Sequence, residues 1–207
     1  FEGSGFASDS AGKDGLASFT MGMMDEGAGN LDALAFADRT ESLGAIINTG
    51  ATLDTSNVSL SALKENLDDS LSLSSSVILA PRFDQTEIDR VRATWIAQIN
   101  QEKARPAGIG GRVLRKEVYG NGHPYAVPAS GLGEVTSIDS LSQSEMQAWH
   151  KQFIRPDNAT IMVVGDTTLA ELLPNLEKTF GQWQAPTSSK PTAKVPVVAL
   201  PTKNRVI

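Results

Sequence analysis

The period of hydrophobic and polar positions changes several times along this chain, and each change marks an element. Leu16, Phe19, Thr20 and Met23 recur at helical spacing and predict a buried helix over residues 15–24. Asn30 predicts the N-cap of a second helix, with Leu34, Ala37 and Leu43 on one face and Gly44 at its stop. From Ala45 the period falls to two. That β-branched, alternating run predicts a hairpin with arms Ala45–Thr52 and Asn57–Leu63 and a turn near Asp54 to Ser56. Leu63, Leu67, Leu71 and Ile78 return to helical spacing as far as Pro81. Asp84 and Glu87 then predict a capping box ahead of a helix ending near Lys103, striped by Ile88, Val91, Trp95 and Ile99. Past Pro106 comes a shorter helix weakened by its glycines, and Gly120 to Gly133 reads as a long turn. Ser142 and Glu145 predict a second capping box before Met146, Trp149 and Phe153. Thr160 to Val164 is almost wholly apolar and predicts a short strand. Thr168 and Glu171 cap a last helix towards Phe180.

Hairpin strands with paired helices between them imply an α+β fold, a mainly antiparallel sheet with helices packed on one face. Residues 1–184 form one module on this reading, and the Pro-, Ser-, Thr- and Lys-rich stretch 185–207 a linker, with 195–207 approaching a second module. A length of 207 residues suffices for one substantial core. The composition, 40% apolar and 20% charged, is that of a soluble globular domain. A net charge of −6 with no Lys/Arg-rich block argues against a nucleic-acid surface. The absence of cysteine excludes disulfides, iron–sulfur clusters and thiol catalysis, and leaves the compartment open. No run approaches the roughly 18 apolar residues of a membrane span.

Candidate chemistry is sparse. His123 and His150 are the only histidines and lie far apart, a poor metal pair. His150, beside Trp149, reads as a partly exposed helix residue, and His123, before Pro124, as a residue that fixes loop geometry. Ser18 has no neighbouring base to activate it as a nucleophile. Asp25-Glu26 and Asp68-Asp69 read as solvated helix ends. The glycines at 108, 110 and 111 follow no strand, which disfavours a nucleotide loop. Trp95, Trp149 and Trp183 read as core or near-core.

The stretch Gly15 to Met23, GLASFTMGM, resembles the metal-binding helix of the M16 (insulinase/pitrilysin-type) peptidases. In active members that run reads G-L-A-H-F-x-E-H-M. Two His one helical turn apart hold zinc and the Glu activates a water. Here Ser18, Met21 and Gly22 stand in those slots, while Gly15, Leu16, Ala17, Phe19 and Met23 remain. The family's third ligand, a Glu late in a later helix, matches the stretch Asp89 to Ile99 and falls on Gln98, whose neutral amide is a poor zinc donor. Gly122-His123-Pro124-Tyr125 resembles the family's G-H-P turn. Arg155-Pro156-Asp157-Asn158 with Ile161 to Asp166 resembles its P-D-N, strand, G-D signature. The likeness spans about Gly12 to Trp183, and Phe1 to Asp9 resembles the tail of the opening strand and loop. Asn48, Thr49, Gly50 and Ala51 match the edge strand on which active members lay an extended peptide. They are therefore candidate substrate-binding residues, through main-chain pairing that needs no metal.

The resemblance implies a non-catalytic subunit with no metal or cofactor of its own. It would pair with a zinc-bearing M16 subunit, or with itself as a homo-oligomer, to enclose peptide substrates. Zinc is expected only in the partner. The family's habit also implies an exported, periplasmic protein. The alternative is a purely structural scaffold subunit, and a weaker third reading is a hydrolase with an unrecognised site.

Overall fold

The computed structural model describes residues 1–192 and 195–199. Eight α-helices and one β-hairpin are found among them: α1 Leu16–Met23, α2 Ala33–Ser42, β1 Ile46–Ala51, β2 Ser56–Ser61, α3 Leu67–Leu79, α4 Gln85–Lys103, α5 Pro106–Tyr119, α6 Val135–Ser140, α7 Gln143–Phe153 and α8 Leu169–Phe180. The fold is α+β, as the pattern implies, with a sheet of two antiparallel strands among the described residues. Helix α1 lies at the centre. Its Ala17, Phe19, Met21 and Met23 are fully buried, and it packs on β1, α4, α6 and α7. Around it, Phe83, Ile88, Ile99, Ile138 and Met146 complete a single core.

The hairpin runs in register from Ile46 opposite Ser61 to Ala51 opposite Ser56. Its turn, one residue earlier than expected, is closed by the Thr52 N–H bonding the Thr55 carbonyl at 2.7 Å. Phe1 lies against the far side of β2. Its amino group donates to the Ser56 carbonyl at 2.9 Å, and the Ser56 N–H donates to the Phe1 carbonyl at 3.0 Å. Both main-chain groups of Ser56 therefore point away from β1. By the alternation of an antiparallel pair, those of Ile47, Thr49 and Ala51 point away from β2.

Both later capping boxes form as the sequence predicts. Ser142 and Glu145 exchange bonds at the start of α7, as do Thr168 and Glu171 at α8. The Asp84/Glu87 box does not form. Asp84 accepts from the Arg82 Nε at 2.7 Å, and Glu87 accepts from the Arg90 Nε at 2.6 Å. A guanidinium, which donates a charge-assisted bond, outcompetes a backbone N–H for each carboxylate. Helix α2 starts at Ala33 and not after Asn30, because the Asp32 carboxylate accepts from the Ala35 N–H at 2.9 Å. Phe36 of α2 and Leu43 just after it are buried, while Leu34 is 74% exposed. In α3 the close packing is made by Ser70, Leu73, Ser74 and Val77, with Leu67, Leu71 and Ile78 half-buried. Its serines let neighbouring elements approach where leucines would hold them off.

The strand expected at Thr160 to Val164 is absent. A strand exists as one half of a pair, and this run has no paired neighbour among the described residues. Its ends are tied to the hairpin side of the molecule. Asn158 bonds Glu2, which bridges Thr55, and Asp166 meets Lys64 at 3.5 Å just past β2. Between those ties Ile161, Met162, Val163 and Val164 are at least half exposed.

Within the stretch expected to be a linker, the carbonyls of Pro186, Ser188 and Ser189 are held by the buried guanidinium of Arg155, which also forks onto Asp157. Residues 193, 194 and 200–207 of that stretch, and with them most of the expected approach to a second module, lie outside the described residues.

Candidate functional site

Helix α1 is entered through Gly15, whose φ of +98° is a left-handed conformation that disfavours any side chain. A Cβ there would also stand 2.9 Å from both the Ile138 Cδ1 and the Leu132 carbonyl oxygen. With no side-chain cap available from glycine, the helix end is satisfied from a distance. The Asp9 carboxylate accepts from the Gly15 N–H at 2.8 Å and the Ala17 N–H at 2.9 Å. Burial pushes the Asp9 carboxyl up to about 7, against the pull of those two N–H bonds.

The four positions matched to the family's zinc machinery are placed as follows. Met21 is fully buried, and its carbonyl accepts from the Thr49 Oγ1 at 2.6 Å. Ser18 and Gly22, four residues apart on one side of α1, are half-buried. The Ser18 Oγ is buried without a hydrogen-bond partner among the described residues. Gln98 is exposed on α4. One turn before it on the same helix, Trp95 makes the approach to α1, with its ring over Gly22 and edge-on to Phe19 at 5.4 Å. An unpartnered hydroxyl, a buried thioether, a glycine and a solvent-facing amide do not make a zinc site, which needs thiolate, imidazole or carboxylate donors. Among the described residues no group of three or more His, Cys, Asp or Glu could hold a metal ion elsewhere.

The candidate peptide strand lies directly beside this helix. Thr49, held to the Met21 carbonyl, fixes β1 against α1. Among the described residues β1 has no strand on its other edge, so the outward main-chain groups of Thr49 and Ala51 are available for pairing. Asn48 extends outward and is exposed, and Gly50 leaves open space beside Asn57. Asp25 sits just below. It is not the solvated helix end the sequence suggests: burial raises its carboxyl to about 6, against the pull of its own backbone N–H.

The two histidines have structural roles. The His123 Nδ1 accepts from the Tyr125 N–H at 3.0 Å, and its Nε2 meets the Pro196 carbonyl at 3.1 Å. The ring stacks on Tyr119 at 4.9 Å. His150 is half-buried on α7, in keeping with its reading as a partly exposed helix residue, and its Nε2 meets the Ile78 carbonyl at 2.8 Å. Burial lowers its pKa. Sequence reasoning missed Asp9 and the role of Trp95. Asp9 lies six residues before Gly15, beyond the reach of local capping rules, and Trp95 carries only the signal of an apolar stripe.

Residues 3–123 match the insulinase (Peptidase family M16) family, and residues 140–207 match its Peptidase M16 inactive domain. The chain belongs to the M16 peptidase family. Among M16 relatives it resembles the non-peptidase homolog YmxG of Helicobacter pylori (strain ATCC 700392 / 26695). The two are 23% identical over 176 residues, covering 85% of this chain and 40% of the relative. A crystal structure of a peptidase M16 inactive domain from Pseudomonas fluorescens superposes with a TM-score of 0.85 at 26% identity, covering 96% of this chain and 47% of that one. The periplasmic protease PqqL from Escherichia coli superposes at 0.82 with 19% identity over 96% of this chain and 22% of its own, a likeness of fold alone. The chain thus spans less than half the length of each. The model matched at residues 140–207 describes an inactive M16 domain, and the relative in Helicobacter pylori is a non-peptidase homolog. No helix among the described residues is long and apolar enough to cross a membrane.

Proposed function

We propose that this chain is a non-catalytic half of an M16 assembly that pairs with a zinc-bearing M16 subunit and helps to enclose and position peptides for cleavage there. The observation that carries the reading is the pairing of a degenerate α1 with an open edge on β1. The metal chemistry is gone, yet the main-chain groups that could take an extended peptide still face outward, braced by Thr49 on Met21. Asn48, Thr49, Gly50 and Ala51 form that edge, with residues 1–184 as the module and 185–207 as the link to whatever follows. Zinc belongs to the partner, and the complex works in an exported, periplasmic setting. Enclosing the peptide would exclude water and hold the scissile bond at the partner's metal.

The test is peptide hydrolysis by a zinc-bearing M16 subunit with and without this chain. Hydrolysis that rises when the chain is added supports the reading. Ala51→Pro removes one outward N–H from an edge strand, where proline is tolerated. It should cut that gain several-fold while complex formation persists. A complex that forms without any gain would make the chain a scaffold, and failure to form a complex would end the pairing proposal.

A further inference from the structure

Glycine is a poorer helix former than alanine, and Gly22 in the last turn of α1 has a packing reason for its place. Trp95 supplies it. A Cβ on Gly22 would stand 3.2 Å from the Trp95 Cζ3 and 3.6 Å from its Cη2. The indole is held in two ways: its Nε1 donates to the Leu132 carbonyl at 3.0 Å, and its ring makes the T-shaped contact with Phe19. Leu132 belongs to the loop that covers the neighbouring position. A Cβ on Gly131 would stand 2.9 Å from the Ser18 Oγ and 2.6 Å from the Phe6 ring. Position 22 is therefore roofed by Trp95 and position 18 by Gly131 and Phe6, and the Trp95–Leu132 hydrogen bond joins the two roofs.

Resting on the match of α1 to the family's metal helix, we infer that Trp95 is a plug. The metal position has been filled as well as stripped of its donors. An imidazole at position 22 would need the volume the indole now occupies, and an indole held by Leu132 and Phe19 does not yield it without losing those contacts. The loss is thus a matched exchange on two helices, small for large on α1 and a bulky ring on α4. Returning the four donors alone will not return the site.

Two experiments test this. The first compares bound zinc, by elemental analysis after equilibrium dialysis, in the S18H/M21E/G22H/Q98E variant and in the same variant carrying Trp95→Ala, each verified as folded by circular dichroism. The variant with Trp95 should hold no stoichiometric zinc, and the one without it should hold about one ion per chain in the four-coordinate manner of zinc. Stoichiometric zinc with Trp95 in place overturns the inference, as does a folded Trp95→Ala variant that takes none. The second needs no metal: Gly22→Ala is made in the native chain and in Trp95→Ala. It should lower Tm where the indole is present and raise it where the indole is gone, and a change of the same sign in both backgrounds overturns the plug. Neither readout depends on a partner or a peptide, so failure of the proposed function leaves them standing.

Discussion

Arg155 shows how one side chain can hold a segment without any strand or helix. Its side chain is 2% exposed, its Nε and Nη2 fork onto Asp157, and its remaining N–H groups take carbonyls from Pro186, Ser188 and Ser189. Five donors in a rigid plane suit such a cluster, and lysine could not reproduce it. Arg155→Leu removes all of these bonds, but Asp157, Ser188 and Ser189 are exposed and Pro186 is half-buried, so water replaces part of what is lost and the net cost is about 0.5–1.5 kcal/mol. We expect a fall in unfolding free energy in that range by urea titration, with Arg155→Lys recovering only part of it. The capping residues give a sharper contrast. Ser142→Ala removes a formed capping box and should cost about 1 kcal/mol. Asp84→Ala removes only a partly exposed pair with Arg82, which should cost roughly 0–1 kcal/mol. Equal losses from the two substitutions would show that Asp84 caps α4 after all.

At the scale of elements, the run from Ile161 to Val164 is the place where pattern and structure part. Consecutive apolar residues signal a strand covered on both faces, but the signal says nothing of whether a neighbour is present. Met162 and Val164 are 87% and 101% exposed here, so Met162→Lys and Val164→Lys should change stability by no more than about 0.5 kcal/mol. They should also reduce any concentration-dependent scattering, since exposed apolar strand-formers promote edge-to-edge association. A loss of several degrees in Tm would mean that the run is covered in solution. The elements that were legible share a property: their determinants are local. The α7 and α8 capping boxes, the presence of the hairpin and the α4 stripe of Ile88, Val91 and Ile99 are each written in one short continuous stretch of chain. The misread features turn on what stands next to a residue in the fold: the run from Ile161 to Val164 has no strand to pair with among the described residues, and Arg82 and Arg90, only two and three residues away, draw Asp84 and Glu87 out of a cap. The candidate site divides in the same way. The absent donors at Ser18, Met21, Gly22 and Gln98 could be read directly, whereas the indole that covers Gly22 arrives from 73 positions downstream.

For the whole molecule, three half-buried titrating groups oppose one another in setting how stability responds to pH. Asp9 and Asp25 have carboxyls raised by burial to about 7 and about 6. An unfolded Asp releases its proton near pH 3.9, so between about pH 4 and 7 the folded chain holds protons that the unfolded chain has lost. Stability from these two groups is thus greatest below about pH 4 and falls as pH rises through 6 and 7. His150 acts in the other direction. Burial lowers its folded pKa, so below about pH 6.5 the unfolded chain takes up a proton that the folded chain refuses, and stability falls on acidification. Two carboxyls outnumber one imidazole, so the sum falls as pH rises from about 4 to 7, more gently than the carboxyls alone would make it. Urea midpoints across pH 4 to 8 should show that decline in the native chain. His150→Gln should steepen it below about pH 6.5, where the imidazole's opposing contribution is lost. Asp9→Asn should do the reverse, flattening the range between 4 and 7 while lowering stability throughout, because an amide returns only one acceptor to the Gly15 and Ala17 N–H groups that Asp9 now serves with two. A midpoint in Asp9→Asn that still falls from pH 4 to 7 as steeply as in the native chain would show that this carboxyl titrates at its ordinary value despite its burial, and that the start of α1 is capped by a permanent charge.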